Sequence, residues 1–100
     1  MKIIVLGAGL VGKPIAIDLL KDSNFKVDIA DNNEKSLKEL QPYNIGIHKL
    51  DLSSGEVLKE LVKDYDIVLN ALPGHMAFAA LKGAAVAASV MQASVPDVPP

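Results

Sequence analysis

Ile3-Ile4-Val5-Leu6 is an unbroken apolar run that stops at Gly7, and an apolar-periodic stretch follows it as far as Leu20. A continuous run of this length reads as a strand buried on both faces, and spacings of three and four as a helix with one buried face. The same alternation recurs along the chain. It predicts strands at 2–6, 26–31, 45–50 and 66–71 and helices at 10–22, 34–41, 54–64 and 76–88. In the third helix Val57, Leu58, Leu61, Val62 and Tyr65 fall on one face, while Lys59, Glu60 and Lys63 take the solvated side. Ser53 or Ser54 is placed to cap it, and Pro14 sits in the first turn of the first helix, where a missing N–H costs least. Strands alternating with helices over short connections specify a parallel sheet covered on both faces.

The break after the first strand carries the most chemistry. Gly7-Ala8-Gly9-Leu10-Val11-Gly12 is Gly-x-Gly-x-x-Gly between a strand and a helix, the context in which that pattern binds a dinucleotide. Gly7 permits the sharp turn, Gly9 lets a pyrophosphate approach the backbone, and Gly12 lets the helix pack closely on the strand. The N–H groups of Leu10, Val11 and Gly12 and the positive end of the helix then face the phosphates. The alternative, a glycine-rich turn with no ligand, needs no further feature of the sequence. The motif and the element order together give an α/β fold, a partial Rossmann-type doubly wound parallel sheet of about four to five strands in order 3-2-1-4.

An acid stands where a ribose-binding acid is expected. Asp31 ends the second strand, 19 positions beyond Gly12, close to the ~20-residue spacing of the fingerprint. Its carboxylate can accept both adenosine ribose hydroxyls and would repel a 2′-phosphate, which favours NAD over NADP. Asn32, Asn33 and Lys35 lie beside it and could rearrange around a phosphate. Asp28 is the competing acid, and its place in mid-strand reads as a surface residue near an edge. An ordinary turn acid ahead of the next helix is the plain reading of Asp31.

Two further loops leave the ends of strands where ligands bind in open α/β sheets. In Asp51-Leu52-Ser53 the carboxylate can accept an adenine amino group while Leu52 packs against the ring; Asp51 would equally serve as an N-terminal acid for the following helix. In Asn70-Ala71-Leu72-Pro73-Gly74-His75, Ala71, Leu72 and Pro73 suit backbone running beside the cofactor, although Pro-Gly is also a plain turn.

Composition narrows the classes of function. A chain of 100 residues, half of them hydrophobic, makes one globular domain. Net charge of −2 with no basic stripe argues against nucleic acid. Absence of cysteine excludes disulfides and thiol chemistry; the first apolar segment is too short for a membrane span and its glycines belong to the turn, so no signal peptide is read and a cytoplasmic protein is expected. No His/Asp/Glu spacing suggests a metal site, and Lys13 lacks the Gly-Lys-Ser/Thr ending of a phosphate-binding loop. His75 lies at the ligand-facing edge with a suitable intrinsic pKa for proton transfer but no evident carboxylate partner, and His48, inside the third strand, reads as structural. Catalytic residues are therefore unassigned.

Taken together, the glycine motif, Asp31, the Asp51-Leu52-Ser53 turn and above all Asn70-Ala71-Leu72-Pro73-Gly74 resemble the N-terminal nucleotide-binding domain of the saccharopine dehydrogenase family, over residues 1–82. The resemblance implies oxidoreduction at a carbon–nitrogen bond of an amino acid derivative, with NAD (or NADP) as cofactor and a small amino-acid-type substrate. Members of that family are several times longer and hold most catalytic groups in a second domain, so residues 1–100 are expected to be the cofactor half of a two-domain enzyme. The alternative is a non-catalytic nucleotide-sensing domain similar to those of potassium transport systems. At most a fifth strand fits near Ser89 to Ser94, and the nearly uncharged stretch from Gly83 onward suggests burial by a missing domain or a homodimer.

Overall fold

A computed structural model of the chain describes residues 1–72 and 90–92. The elements run β1 (Lys2–Leu6), α1 (Gly12–Leu19), β2 (Lys26–Asp31), α2 (Glu34–Lys38), β3 (Gly46–Lys49), α3 (Gly55–Val62), β4 (Ile67–Asn70) and β5 (Val90–Gln92). They form one parallel sheet in order β3-β2-β1-β4-β5. The expected order 3-2-1-4 is observed, and the fifth strand falls inside the expected window. The predicted helix at 76–88 lies outside the described residues, as do Pro73, Gly74 and His75 and the apolar stretch from Gly83 on which a homodimer was expected.

β1 is apolar throughout because it is central and covered twice. Ile3, Ile4, Val5 and Leu6 are all at most 2% exposed, and alternate side chains enter opposite cores. On one face Ile4, Leu6, Ala30 and Val68 pack with Leu58 and Val62 of α3. On the other, Val5, Val27 and Ile29 pack with Ala16 of α1 and with Leu37 and Leu40 of the α2 region. Strand register is Val5 opposite Ile29 on one side and Leu69 on the other.

The helices are shorter than their apolar patterns. Beyond α1, the N–H groups of Leu20, Lys21 and Asp22 bond three residues back, to Ile17, Asp18 and Leu19, so the last turn tightens into 3₁₀ geometry. The segment after α2 does the same through Leu40 and Gln41. Strand pairing, in contrast, extends past the strands' formal ends: Asp66 N–H bonds Lys2 and Ala71 N–H bonds Leu6, each at 2.8 Å.

One expectation is corrected. Asp28 is not a surface residue but is 8% exposed, in the middle of β2 on the α3 face. Its Oδ2 accepts a hydrogen bond from the Tyr65 hydroxyl and lies 3.0 Å from His48 Nε2. Two polar partners from β3 and from the turn after α3 make that burial affordable.

Candidate cofactor site

β1 delivers the chain to Gly7, whose φ of +101° is the left-handed region that L side chains rarely adopt. A Cβ at Gly7 would also stand 3.1 Å from the carbonyl oxygen of Ala71. Gly12 is required for packing: a Cβ there would fall 1.7 Å from the carbonyl oxygen of Gly7. Helix α1 is thereby drawn tightly onto the loop. Gly9 differs from both, since a Cβ would meet nothing within 4 Å. Among the described residues nothing requires glycine at that position, and the space beside its backbone is open to them.

That opening coincides with an uncompensated helix terminus. α1 begins at Gly12 after Val11, with no side-chain cap and no acid in its first turn. Its leading N–H groups and dipole are thus available to an anion. Leu10 is 96% exposed at the lip of the loop, whereas Val11 is half-buried against the α1 core.

Asp31 ends β2 next to this loop. Its Oδ2 accepts the backbone N–H of Ala8 at 2.6 Å, and its Oδ1 accepts that of Asn33 at 2.9 Å. Each oxygen keeps a second lone pair, so the carboxylate can still accept hydroxyl donors. Asn33 caps α2 by accepting Ser36 N–H, and Asn32 is exposed beside it. Lys13 and Lys49 are each paired with a carboxylate, Glu39 and Glu34.

The turn after β3 is built on Asp51. Its Oδ1 accepts both the backbone N–H of Ser53 at 3.0 Å and the Ser53 hydroxyl at 2.6 Å. These bonds hold its carboxyl below the usual carboxylate range. Ser54, not Ser53, caps α3, accepting the N–H of Val57. Leu52 is placed otherwise than the expected ring contact: at 2% exposure its side chain belongs to the core with Leu6, Leu58 and Leu72. It anchors the turn from below.

After β4 the chain passes under the glycine loop. Ala71 and Leu72 are buried, and Ala71 backs both Gly7 and Gly12. Asn70, outside the set of candidate cofactor contacts, fixes this turn: it is fully buried and its Oδ1 accepts Leu72 N–H at 3.1 Å. A polar residue ending an apolar strand was the available signal. The structure thus gathers Gly7, Gly9, Gly12, Asp31, Asp51 and Ala71 at the carboxyl ends of β1, β2, β3 and β4, the edge where open α/β sheets bind ligands. A cleft of about 720 Å³ lined by Phe25, Lys26, Asn44 and Gly46 opens at the amino ends of β2 and β3, at the opposite edge. No described helix is long and apolar enough to cross a membrane, and no group of three or more His, Cys, Asp or Glu among the described residues could hold a metal ion.

Comparison with known proteins bears on the family and the fold. Residues 3–94 match the family described as the saccharopine dehydrogenase NADP binding domain. Saccharopine dehydrogenase (L-Glu forming) from Saccharomyces cerevisiae superposes with a TM-score of 0.81 at 21% identity, covering 95% of this chain and 22% of that one. Mitochondrial alpha-aminoadipic semialdehyde synthase from Bos taurus is 31% identical over 74 residues, 72% of this chain and 8% of the enzyme. The Trk system potassium uptake protein TrkA from Vibrio alginolyticus is 39% identical over 71 residues, 69% of this chain and 15% of that protein. The chain therefore spans a small fraction of the length of these relatives.

Proposed function

Since the chain belongs to the saccharopine dehydrogenase NADP binding domain family, we propose that it binds NAD as the cofactor portion of an oxidoreductase acting on a carbon–nitrogen bond of an amino acid derivative. The observation that carries this reading is Gly9, a glycine with no described atom within 4 Å of its would-be Cβ, beside a helix terminus with no side-chain cap among the described residues. The residues present fit a dinucleotide. The N–H groups of Leu10, Val11 and Gly12 would hold the pyrophosphate, Asp31 the ribose hydroxyls, and Asp51 the adenine amino group through Oδ2, while the backbone at Ala71 and Leu72 would run beside the cofactor; Pro73 lies outside the described residues. When bound, the cofactor supplies hydride transfer. The chain's own part is to orient it and to select it.

Selection rests on Asp31. A 2′-phosphate would stand against this carboxylate and near Glu34, with Lys49 already engaged by Glu34. Although the family description names NADP, these charges favour NAD. The likeness to TrkA supports a second reading, a nucleotide-sensing domain without turnover. Both readings share the site; they part on whether an amino acid substrate is oxidised once the rest of the protein is present.

The test is a titration of the purified chain with NADH and with NADPH, following nicotinamide fluorescence, which the absence of tryptophan leaves uncluttered. Saturable binding with NADH preferred is expected. Failure to bind either would overturn the assignment.

A further inference from the structure

Asp28, His48 and Tyr65 meet on the α3 face of the sheet, away from the glycine loop, and nothing in the cofactor site uses them. They come from β2, β3 and the turn between α3 and β4, respectively. Asp28 Oδ2 accepts from Tyr65, lies 3.0 Å from His48 Nε2, and the Tyr65 oxygen is 3.3 Å from the same nitrogen. Burial tends to raise the Asp28 pKa, but the bonds from Tyr65 and His48 and the charges of His48 and Lys26 outweigh it and hold the carboxyl below its usual value. Tyr65 packs against the apolar core on this face, and Lys2 Nζ lies 5.4 Å over its ring.

The need for such a cluster lies in β3. This is an outermost strand of four residues, Gly46-Ile47-His48-Lys49, whose burial only alternates between partial and none. Ile47 is 37% exposed. Within the strand itself apolar burial does little to choose among registers. Ile45 before it and Leu50 after it pack on opposite cores and share the choice with the polar cluster. A one-residue slip would turn each side chain to the other face. Two features of the cluster do choose. Gly46 stands opposite Asp28, and a Cβ there would fall 2.3 Å from Asp28 Oδ1. Between Asn44 and Lys49 no other residue is glycine, so another register would set a Cβ against the carboxylate and displace it from His48 and Tyr65. His48 then reaches Asp28 from the same side.

The register matters because of what β3 leads into. Leu50 N–H continues the ladder to the carbonyl of Asp31 at 3.1 Å, and Asp51 follows directly. Segment 49–64, which contains the Asp51 turn and α3, is moored at both ends on one carboxylate, by His48 before it and Tyr65 after it. We infer that Asp28, His48 and Tyr65 are positioning residues: they key the register of β3 and so set Asp51 at the adenosine end of the site relative to Asp31. The register half of this inference stands on the fold alone, and its consequence for adenosine rests on the cofactor reading above.

The experiment uses the ¹⁵N,¹³C-labelled full chain and the variants His48→Val, Gly46→Ala and Tyr65→Phe. Valine keeps strand propensity while removing the polar contact. Cross-strand NOEs between β2 and β3 report the register, those between β1 and β4 the rest of the sheet. ADP-ribose and reduced nicotinamide mononucleotide report the two halves of the site. In His48→Val and Gly46→Ala we expect β2–β3 NOEs to be lost or shifted by a residue while β1–β4 NOEs persist. ADP-ribose affinity should fall about tenfold, the equivalent of one charge-assisted hydrogen bond, with the mononucleotide unaffected. Tyr65→Phe should give a smaller change of the same pattern. Native β2–β3 NOEs in all three variants would overturn the register key. A lost register with equal effects on both ligands would overturn the positioning of Asp51. If the parent chain binds no ADP-ribose, the cofactor reading fails, while the NOEs still decide the register.

Discussion

The carboxylate of Asp31 accepts the backbone N–H of Ala8 at 2.6 Å, joining the end of β2 to the glycine loop across 23 residues. The residue proposed to read the ribose is therefore also a strut of the glycine loop. A substitution at Asp31 acts on both. Asp31→Ser should weaken NADH binding by about tenfold or more, since charge-assisted bonds to the ribose are lost. NADPH should lose less, because the repulsion of its 2′-phosphate is lost as well. Parallel titrations of parent and variant decide it: an unchanged NADH-to-NADPH ratio would show that Asp31 serves the loop alone.

The three glycines of the loop separate stability from binding. Gly9 has open space around its would-be Cβ and a φ outside the left-handed region, so Gly9→Val should shift unfolding free energy by no more than about 1 kcal/mol. The side chain would occupy the place of the pyrophosphate, and NADH binding should disappear. Gly12→Ala sets a methyl 1.7 Å from a backbone oxygen, and should cost about 3 kcal/mol or more, since backbone cannot step aside as a side chain can. Urea unfolding and NADH titration of both variants check the contrast. A Gly9→Val protein that binds like the parent would sink the site assignment.

The strands and the glycine loop were legible because their causes are local. An apolar run that stops at a glycine, and an acid at the end of the next such run, need no knowledge of what lies elsewhere. Helix ends were less legible: the apolar period continues through Leu20 and Leu40, but the bonds there close three residues back. Asp28 departs from its sequence expectation for the opposite reason. Its partners His48 and Tyr65 lie 20 and 37 positions away, and only the parallel register of β2 with β3 brings the histidine alongside. Leu52 likewise belongs to the core through contacts with Leu6 and Leu72, remote in sequence. Position relative to the sheet edge could be foreseen; which face a loop residue turns to the core could not.

The same buried cluster predicts how stability depends on pH. Although burial alone would raise it, the Asp28 carboxyl is held below its ordinary value of 3.8 by Tyr65 and His48. The folded chain then binds that proton less readily than the unfolded one, so stability is in place above about pH 4 and drains away as pH falls through the lower folded value. Tyr65 works in the other direction. Burial first, and then its bond to the Asp28 carboxylate, raise its pKa above 10.0; its contribution is present below pH 10 and is lost as pH climbs toward the folded value. Urea midpoints against pH should therefore fall at both extremes, with Tyr65→Phe flattening the alkaline arm and weakening the acid one. An alkaline arm identical in parent and Tyr65→Phe would contradict the assignment.

Asn70 offers the sharpest separation of fold from site at the carboxyl end of β4. Its side chain is fully buried, and Oδ1 accepts the N–H of Leu72, a residue whose δ-carbon would lie 3.2 Å from a Cβ at Gly7. The turn it holds is thus the floor on which the first glycine rests. Asn70→Ala leaves the Leu72 N–H without that acceptor, a loss of about 1–3 kcal/mol in unfolding free energy. Freed of this restraint, residues 71–72 no longer fix the loop above them, and NADH affinity should fall although Asn70 itself offers the cofactor no contact in this reading. Thermal unfolding with and without saturating NADH measures both quantities in one series: the stabilisation by ligand should shrink in the variant beyond what the lower starting stability explains. Equal ligand stabilisation in parent and variant would mean that Asn70 supports the sheet end and has no hold on the glycine loop.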